Sequence, residues 1–204
     1  MTLKIAVLLS GSGSTLQNII DHIEKKTLDA QIVCVASSRS DAYGLVRAED
    51  HGIPARAFPR KQYEDLGKFN ADIWQFICGH NAELVVLAGF MSLLEIPPDF
   101  ENRIVNVHPG LIPAFCGKGM YGHHVHEAVL KYGAKITGVT VHFVDPLYDH
   151  GPIIMQDTVP VREDDTLDSL AERVMAKERE IYPKAIQLIS EGRIQVEGRI
   201  VRIK

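Results

Sequence analysis

Asn106 and His108 lie two residues apart in Asn106-Val107-His108-Pro109-Gly110, and in an extended chain that spacing turns both side chains to one face. One offers an amide N–H and the other an imidazole that titrates near neutral pH. The pairing suits a reaction in which a carbonyl oxygen becomes an oxyanion, with a donor to hold the charge and an acid/base group beside it. A buried asparagine and a core histidine at a strand end would read the same way in five residues. The rest of the chain has to separate the two.

Three further groups bear on the choice. Asp149, in Asp149-His150-Gly151-Pro152, is a candidate to orient His108 and favour its protonated ring, although an aspartate in such a loop also serves simply to form a turn. Gly11-Ser12-Gly13-Ser14-Thr15 follows an apolar run and opens a helical pattern, so its backbone N–H groups and the helix dipole would suit a phosphate. It is not a dinucleotide fingerprint, because Leu16 stands where the third glycine belongs, and it lacks the Gly-Lys-Ser/Thr of a Walker A loop. A structural turn of small residues is the alternative there. His123, His124 and His126 are close in sequence, yet adjacent histidines diverge and no paired cysteine or HExxH completes a ligand set, so no metal is expected. Cys116 has no nameable base.

The elements that would carry these groups alternate. Lys4 to Ser10 is a nearly continuous apolar run, as in a strand buried on both faces, and Leu16, Ile19, Ile20 and Ile23 follow at helical spacing. Strands are expected at 31–37, 55–58, 83–88, 104–108, 135–143 and 153–159, with helices at 42–51, 63–79, 124–132 and 166–191. The last helix should start at a capping-like Asp165 with Asp168 three positions on, and should break or kink at Pro183. A hairpin is expected over 194–201. Pro109-Gly110 ends the 104–108 strand, which places Asn106 and His108 at the carboxyl end of a parallel strand, where such sheets bind ligands. The pattern predicts a single α/β domain over 1–204.

Composition narrows the function. The chain has 204 residues, 46% hydrophobic and 24% charged, ordinary values for one globular domain. A formal net charge of -4 with scattered Lys and Arg argues against binding long nucleic acids but not against a small anion. Three cysteines without CxxC spacing point to a reducing compartment, hence the cytoplasm. The run from Ile5 to Leu9 is too short for a signal-peptide core, and no segment is long enough to span a membrane.

Four stretches together resemble the glycinamide ribonucleotide formyltransferases of purine synthesis: Ser10-Gly11-Ser12-Gly13-Ser14-Thr15-Leu16-Gln17, Leu87-Ala88-Gly89-Phe90-Met91, Asn106-Val107-His108-Pro109, and Val141-His142-Phe143-Val144 leading to Asp149-His150-Gly151-Pro152. The resemblance covers nearly the whole chain. Its most specific part is Asn-x-His-Pro followed by Asp-x-Gly-Pro, shared by folate-dependent formyl transferases and hydrolases.

The resemblance implies a doubly wound, mostly parallel Rossmann-like sheet, with the phosphate site near the N-terminus and the folate and catalytic loops at about 88–152. Asn106, His108 and Asp149 take the positions of the catalytic trio. Gly13, Ser14 and Thr15 fall where the phosphate of the ribonucleotide binds, and Glu178 where its glycinamide portion is contacted. Arg60, Met91, Ser92, Leu93, Leu94 and Asp145 fall on the folate side. Implied partners are glycinamide ribonucleotide and the co-substrate 10-formyltetrahydrofolate, with no nucleic acid, membrane or metal, in a monomer or homodimer. The substrate amine would attack the formyl carbon, and the oxyanion would meet Asn106 and a protonated His108 kept charged by Asp149.

Thr15 replaces the family's usual Asn, Ser92 an Arg, and the segment after Pro113 differs from the family's shorter version. Formyltetrahydrofolate hydrolase and methionyl-tRNA formyltransferase share the motifs but carry an extra N-terminal or C-terminal domain respectively, which this chain is expected to lack. A non-catalytic nucleotide-binding protein would use the glycine loop without needing the trio.

Overall fold

The computed structural model describes residues 2–204. Its first compact unit runs to Val105 and its second from Asn106 to Lys204. The fold is α/β, with seven strands in a mostly parallel sheet of order β3-β2-β1-β4-β5-β6-β7.

In the first unit, β1 (Leu3–Leu9) lies between β2 (Ala30–Ser37) and β4 (Leu84–Leu87), parallel to both, and β2 carries the short β3 (Ala55–Ala57). Ile5 to Leu9 are all 0% exposed, which accounts for the unbroken apolar run, since a strand covered on both faces has no polar side. Each Leu, Ile or Val buried in this way contributes about 1.5–3 kcal/mol. Of the helical stripe read from the sequence, helix α1 (Ser14–Glu24) buries Leu16, Ile19 and Ile20, while Ile23 is half-buried. The chain winds outward from β1 through α2 (Tyr43–Asp50) to β3 and returns through α3 (Leu66–Gly79) to β4 on the other side of β1. The carboxyl ends of β1 and β4 therefore flank a topological switch point, the usual ligand position in such sheets.

Helix α3 begins later than its apolar pattern suggests. Arg60–Gln62 form a separate 3-10 turn, and Asp65 caps the helix by accepting from the N–H groups of Gly67 at 3.1 Å and Lys68 at 2.9 Å.

Strand β5 (Ile104–His108) begins at the end of the first unit and its last three residues open the second, which goes on through α4 (His123–Tyr132), β6 (Ile136–Phe143), the antiparallel β7 (Ile153–Pro160) and α5 (Leu167–Ser190). Gly138 in β6 approaches the Asp157 carbonyl so closely that no Cβ would fit. Thr166 caps α5, not Asp165. Its hydroxyl accepts from Ser169 N–H while Ser169 Oγ accepts from Thr166 N–H, a reciprocal capping box. Asp165, one residue earlier, accepts from Arg162 N–H, Ser169 Oγ and the Arg173 guanidinium. Burial pushes its carboxyl up, but these donors outweigh it and hold the pKa at about 2. Of the break or kink expected at Pro183, a break does not occur: α5 runs through the proline, which is buried. The chain closes with an antiparallel hairpin, β8 (Ile194–Glu197) and β9 (Ile200–Ile203), turning at Gly198 with φ 60°.

Candidate active site

Strand β5 delivers Asn106 and His108, and the loop after β6 delivers Asp149. His108 Nδ1 lies 3.5 Å from Asp149 Oδ2, a contact the sequence suggested but could not place. His108 Nε2 lies 2.9 Å from the Phe115 carbonyl. A carbonyl only accepts, so Nε2 carries a proton and Nδ1 is the nitrogen left facing the carboxylate. Gly110 allows this packing, since a Cβ there would lie 2.9 Å from Nε2.

The charge state differs from the expectation. Burial lowers the His108 pKa, and the Asp149 charge and the Phe115 carbonyl, which raise it, do not compensate. Burial thus favours the uncharged ring in the free protein. A proton taken up at Nδ1 would sit against Asp149, so the carboxylate is placed to stabilise the imidazolium only when the ring is protonated.

His142, part of a motif but given no role from the sequence, joins the trio. Its Nδ1 donates to the Phe143 carbonyl at 2.7 Å, leaving Nε2 to accept from Asn106 Nδ2 at 3.3 Å. The same Nε2 is 3.8 Å from Asp149 Oδ1. Burial is the main cause of a lowered His142 pKa and favours the neutral ring, which can orient the Asn106 amide. The available signal was alternation, which puts Thr140 and His142 on one face of β6. Thr140 Oγ1 donates to the Gly110 carbonyl at 2.7 Å and accepts from Ile112 N–H at 3.1 Å and Gln156 Nε2 at 3.0 Å, fixing the turn that leaves β5.

The segment after Pro113, to which the sequence assigned nothing, borders both titratable members. Besides the Phe115 carbonyl on His108, Gly117 N–H donates to Asp149 Oδ2 at 2.9 Å. Phe115 and Asp149 both have left-handed backbones, φ 48° and 51°, uncommon for residues with side chains and typical of functional loops.

In the first unit, Gly13 precedes α1 with φ 71° and supplies no side-chain cap. A Cβ on it would lie 2.5 Å from Gly44 Cα. Ser14 and Thr15 are half-buried in the first turn. Arg47 braces the loop, donating from Nε to the Ser12 carbonyl at 3.0 Å and from Nη1 to Gln17 Oε1 at 2.9 Å. Across the switch point, Met91 N–H donates to Ser10 Oγ at 2.9 Å. Met91 and Leu93 are exposed, Ser92 is half-buried and Leu94 is buried. Arg60 donates to the Tyr63 carbonyl at 2.6 Å and lies over the Phe69 ring.

In the second unit, Asp145 accepts from Leu147 N–H at 2.9 Å and lies 2.5 Å from His150 Nδ1, and Glu178 is half-buried on α5. Among the described residues, no three His, Cys, Asp or Glu side chains converge as metal ligands, and no helix is long and apolar enough to cross a membrane. His126 is buried, and burial, with His123 and His108 nearby, pushes its pKa down to about 4.

Residues 3–186 match the family model described as formyl transferase, and the chain belongs to that family. It is 36% identical to a phosphoribosylglycinamide formyltransferase of Haemophilus influenzae, with 97% of this chain and 92% of that one covered. It is 40% identical to the trifunctional purine biosynthetic protein adenosine-3 of Gallus gallus over 95% of its own length, but spans only 19% of that protein. The crystal structure of glycinamide ribonucleotide transformylase 1 from Symbiobacterium toebii superposes with a TM-score of 0.93 at 42% identity, covering 99% of this chain and 94% of that one.

Proposed function

We propose that the chain transfers the formyl group of 10-formyltetrahydrofolate to the amine of glycinamide ribonucleotide. The observation that carries this reading is the cluster of buried His108 with half-buried Asn106 and Asp149 in a member of the formyl transferase family. In this reading the amine attacks the formyl carbon, and the carbonyl oxygen gains charge that the Asn106 amide stabilises. His108 takes the amine's proton at Nδ1 beside Asp149, and the proton then passes to the folate nitrogen as the C–N bond breaks. A neutral resting ring suits this sequence better than a charged one, because only a neutral ring can accept that proton.

Gly13, Ser14 and Thr15 would hold the substrate phosphate and Glu178 the glycinamide portion. Arg60, Met91, Ser92, Leu93, Leu94 and Asp145 would contact the folate. The support is the left-handed Gly13 at a helix N-terminus, the exposure of Met91 and Leu93 beside a switch point, and the likeness to proteins named for this reaction. The reading places the protein in the cytoplasm, consistent with three unpaired cysteines, as one formyltransferase domain in a monomer or homodimer.

The test is folate absorbance on mixing the protein with formyl-folate and glycinamide ribonucleotide, with His108→Ala as control. A fall in turnover of about 10²–10⁴-fold in the control is expected. Near-wild-type turnover there, or formylation of charged initiator tRNA at a comparable rate, would overturn the assignment.

A further inference from the structure

We propose that Arg199, beside the turn of the C-terminal hairpin, is a positioning residue for the 145–151 loop and keeps Asp149 where its carboxylate reaches His108. The hairpin lies beyond the residues that match the family model, yet Arg199 reaches back to the residue next to Asp149. Its Nη2 donates to the His150 carbonyl at 2.7 Å, and its Nη1 lies 3.1 Å from His150 Nε2 and 3.3 Å from Nδ1. The imidazole is also held by Asp145 Oδ2, 2.5 Å from Nδ1. With the Nδ1 proton directed to that carboxylate, Nε2 is the lone pair the guanidinium can engage. Guanidinium, imidazole and carboxylate thus form one clasp across the loop.

Asp149 has a left-handed backbone, φ 51°, which persists only where neighbours over-determine it. On its carboxyl side, Gly151 packs onto the Phe143 carbonyl with no room for a Cβ. Asp145 ties the start of the loop by accepting from Leu147 N–H. Between these anchors His150 is exposed, and packing alone does not fix it. The Arg199 clasp supplies the missing restraint one peptide away from the carboxylate. A single exposed ion pair would contribute little, but here the guanidinium binds a backbone carbonyl and a ring together, and both are lost if the loop shifts.

That the held carboxylate serves formyl transfer rests on the function proposed above; that it is held does not. The test is therefore amide hydrogen exchange on the full chain, read at Gly117, whose N–H donates to Asp149 Oδ2. In Arg199→Ala, Gly117 and residues 146–151 should exchange about tenfold faster or more, while the buried amides of β1 exchange as in the wild type. Arg199→Lys, which can still reach the His150 carbonyl but cannot span carbonyl and ring, should lie between. In the same variants kcat should fall about tenfold with the KM for ribonucleotide unchanged. Unchanged exchange at Gly117 in a folded Arg199→Ala protein overturns the proposal, whatever happens to turnover. A wild-type protein inactive in formyl transfer overturns the functional reading, and exchange at Gly117 still decides this one.

Discussion

His108 and Asp149 leave water together: their side chains are 2% and 12% exposed, with Nδ1 and Oδ2 3.5 Å apart. Burial favours the neutral imidazole, whereas the carboxylate favours the charged one, and burial prevails. The pair is poised to take a proton without holding one at rest.

Asp149→Asn removes the charge that raises the His108 pKa, so that pKa should fall further. The limb of the pH–rate profile that reports His108 should move to lower pH, and turnover should drop by about 10²–10⁴-fold. An unmoved limb would mean that Asp149 only shapes its loop.

His142→Ala takes away the acceptor that orients the Asn106 amide. The loss of one hydrogen bond of about 1 kcal/mol corresponds to roughly fivefold in rate. It should appear in kcat with KM little changed, because the amide acts on the developing oxyanion. Steady-state kinetics separate the two, and a change confined to KM would count against this role.

Gly13→Ala should be costly in two ways. The backbone there is left-handed, and the added Cβ would lie 2.5 Å from Gly44 Cα. Strain and overpacking together predict a loss of about 2–4 kcal/mol, measurable by urea titration. The KM for ribonucleotide should rise as the loop is displaced. Wild-type stability would show that the loop can shift to accommodate the methyl group.

Thr140→Val keeps the shape of the side chain but removes a hydroxyl with three partners, Gly110 C=O, Ile112 N–H and Gln156 Nε2. Leaving such groups unpaired costs about 1–3 kcal/mol. Thermal unfolding should register it, and a neutral result would mean that other partners replace the hydroxyl.

Asp165 sets a pH dependence. Its folded pKa of about 2 lies below the ordinary 3.8, so the stability it lends is fully present above that ordinary value. It is lost as pH falls through about 2. Arg173→Ala removes a principal donor and should shift acid unfolding to higher pH. An unshifted acid midpoint would assign the low pKa to the Arg162 and Ser169 contacts.

Much of this was legible in the sequence because it depends on local periodicity. The apolar run of β1, the stripe of α1 and the two-residue spacing of Asn106 and His108 each follow from backbone geometry alone. What was not legible depends on long-range contact. Spacing cannot show that Asp149 meets His108, nor that the Phe115 carbonyl and Gly117 N–H complete the surroundings of that pair. His142 was hidden because a histidine in an apolar strand reads as core until its partners are known. The sequence shows a charged neighbour for His108 but not the depth of its burial, which is what lowers its pKa. At α5, Asp165 and Thr166 are both good caps, and only the geometry of Ser169 selects the threonine.

The order of the sheet also bears on how the protein avoids aggregation. A sheet with open ends presents rows of N–H and C=O groups that another chain can extend into a fibril. Here one end is β3, three residues long and too short to template such growth. The other is the antiparallel β7, which ends in Pro160, a residue without a donor; the Pro160 carbonyl accepts from Arg173, and Asp157 in the same strand pairs with Lys177 at 3.3 Å. The sheet is thus closed off at one margin by brevity and at the other by proline and charge, and intermolecular strand addition is disfavoured at both.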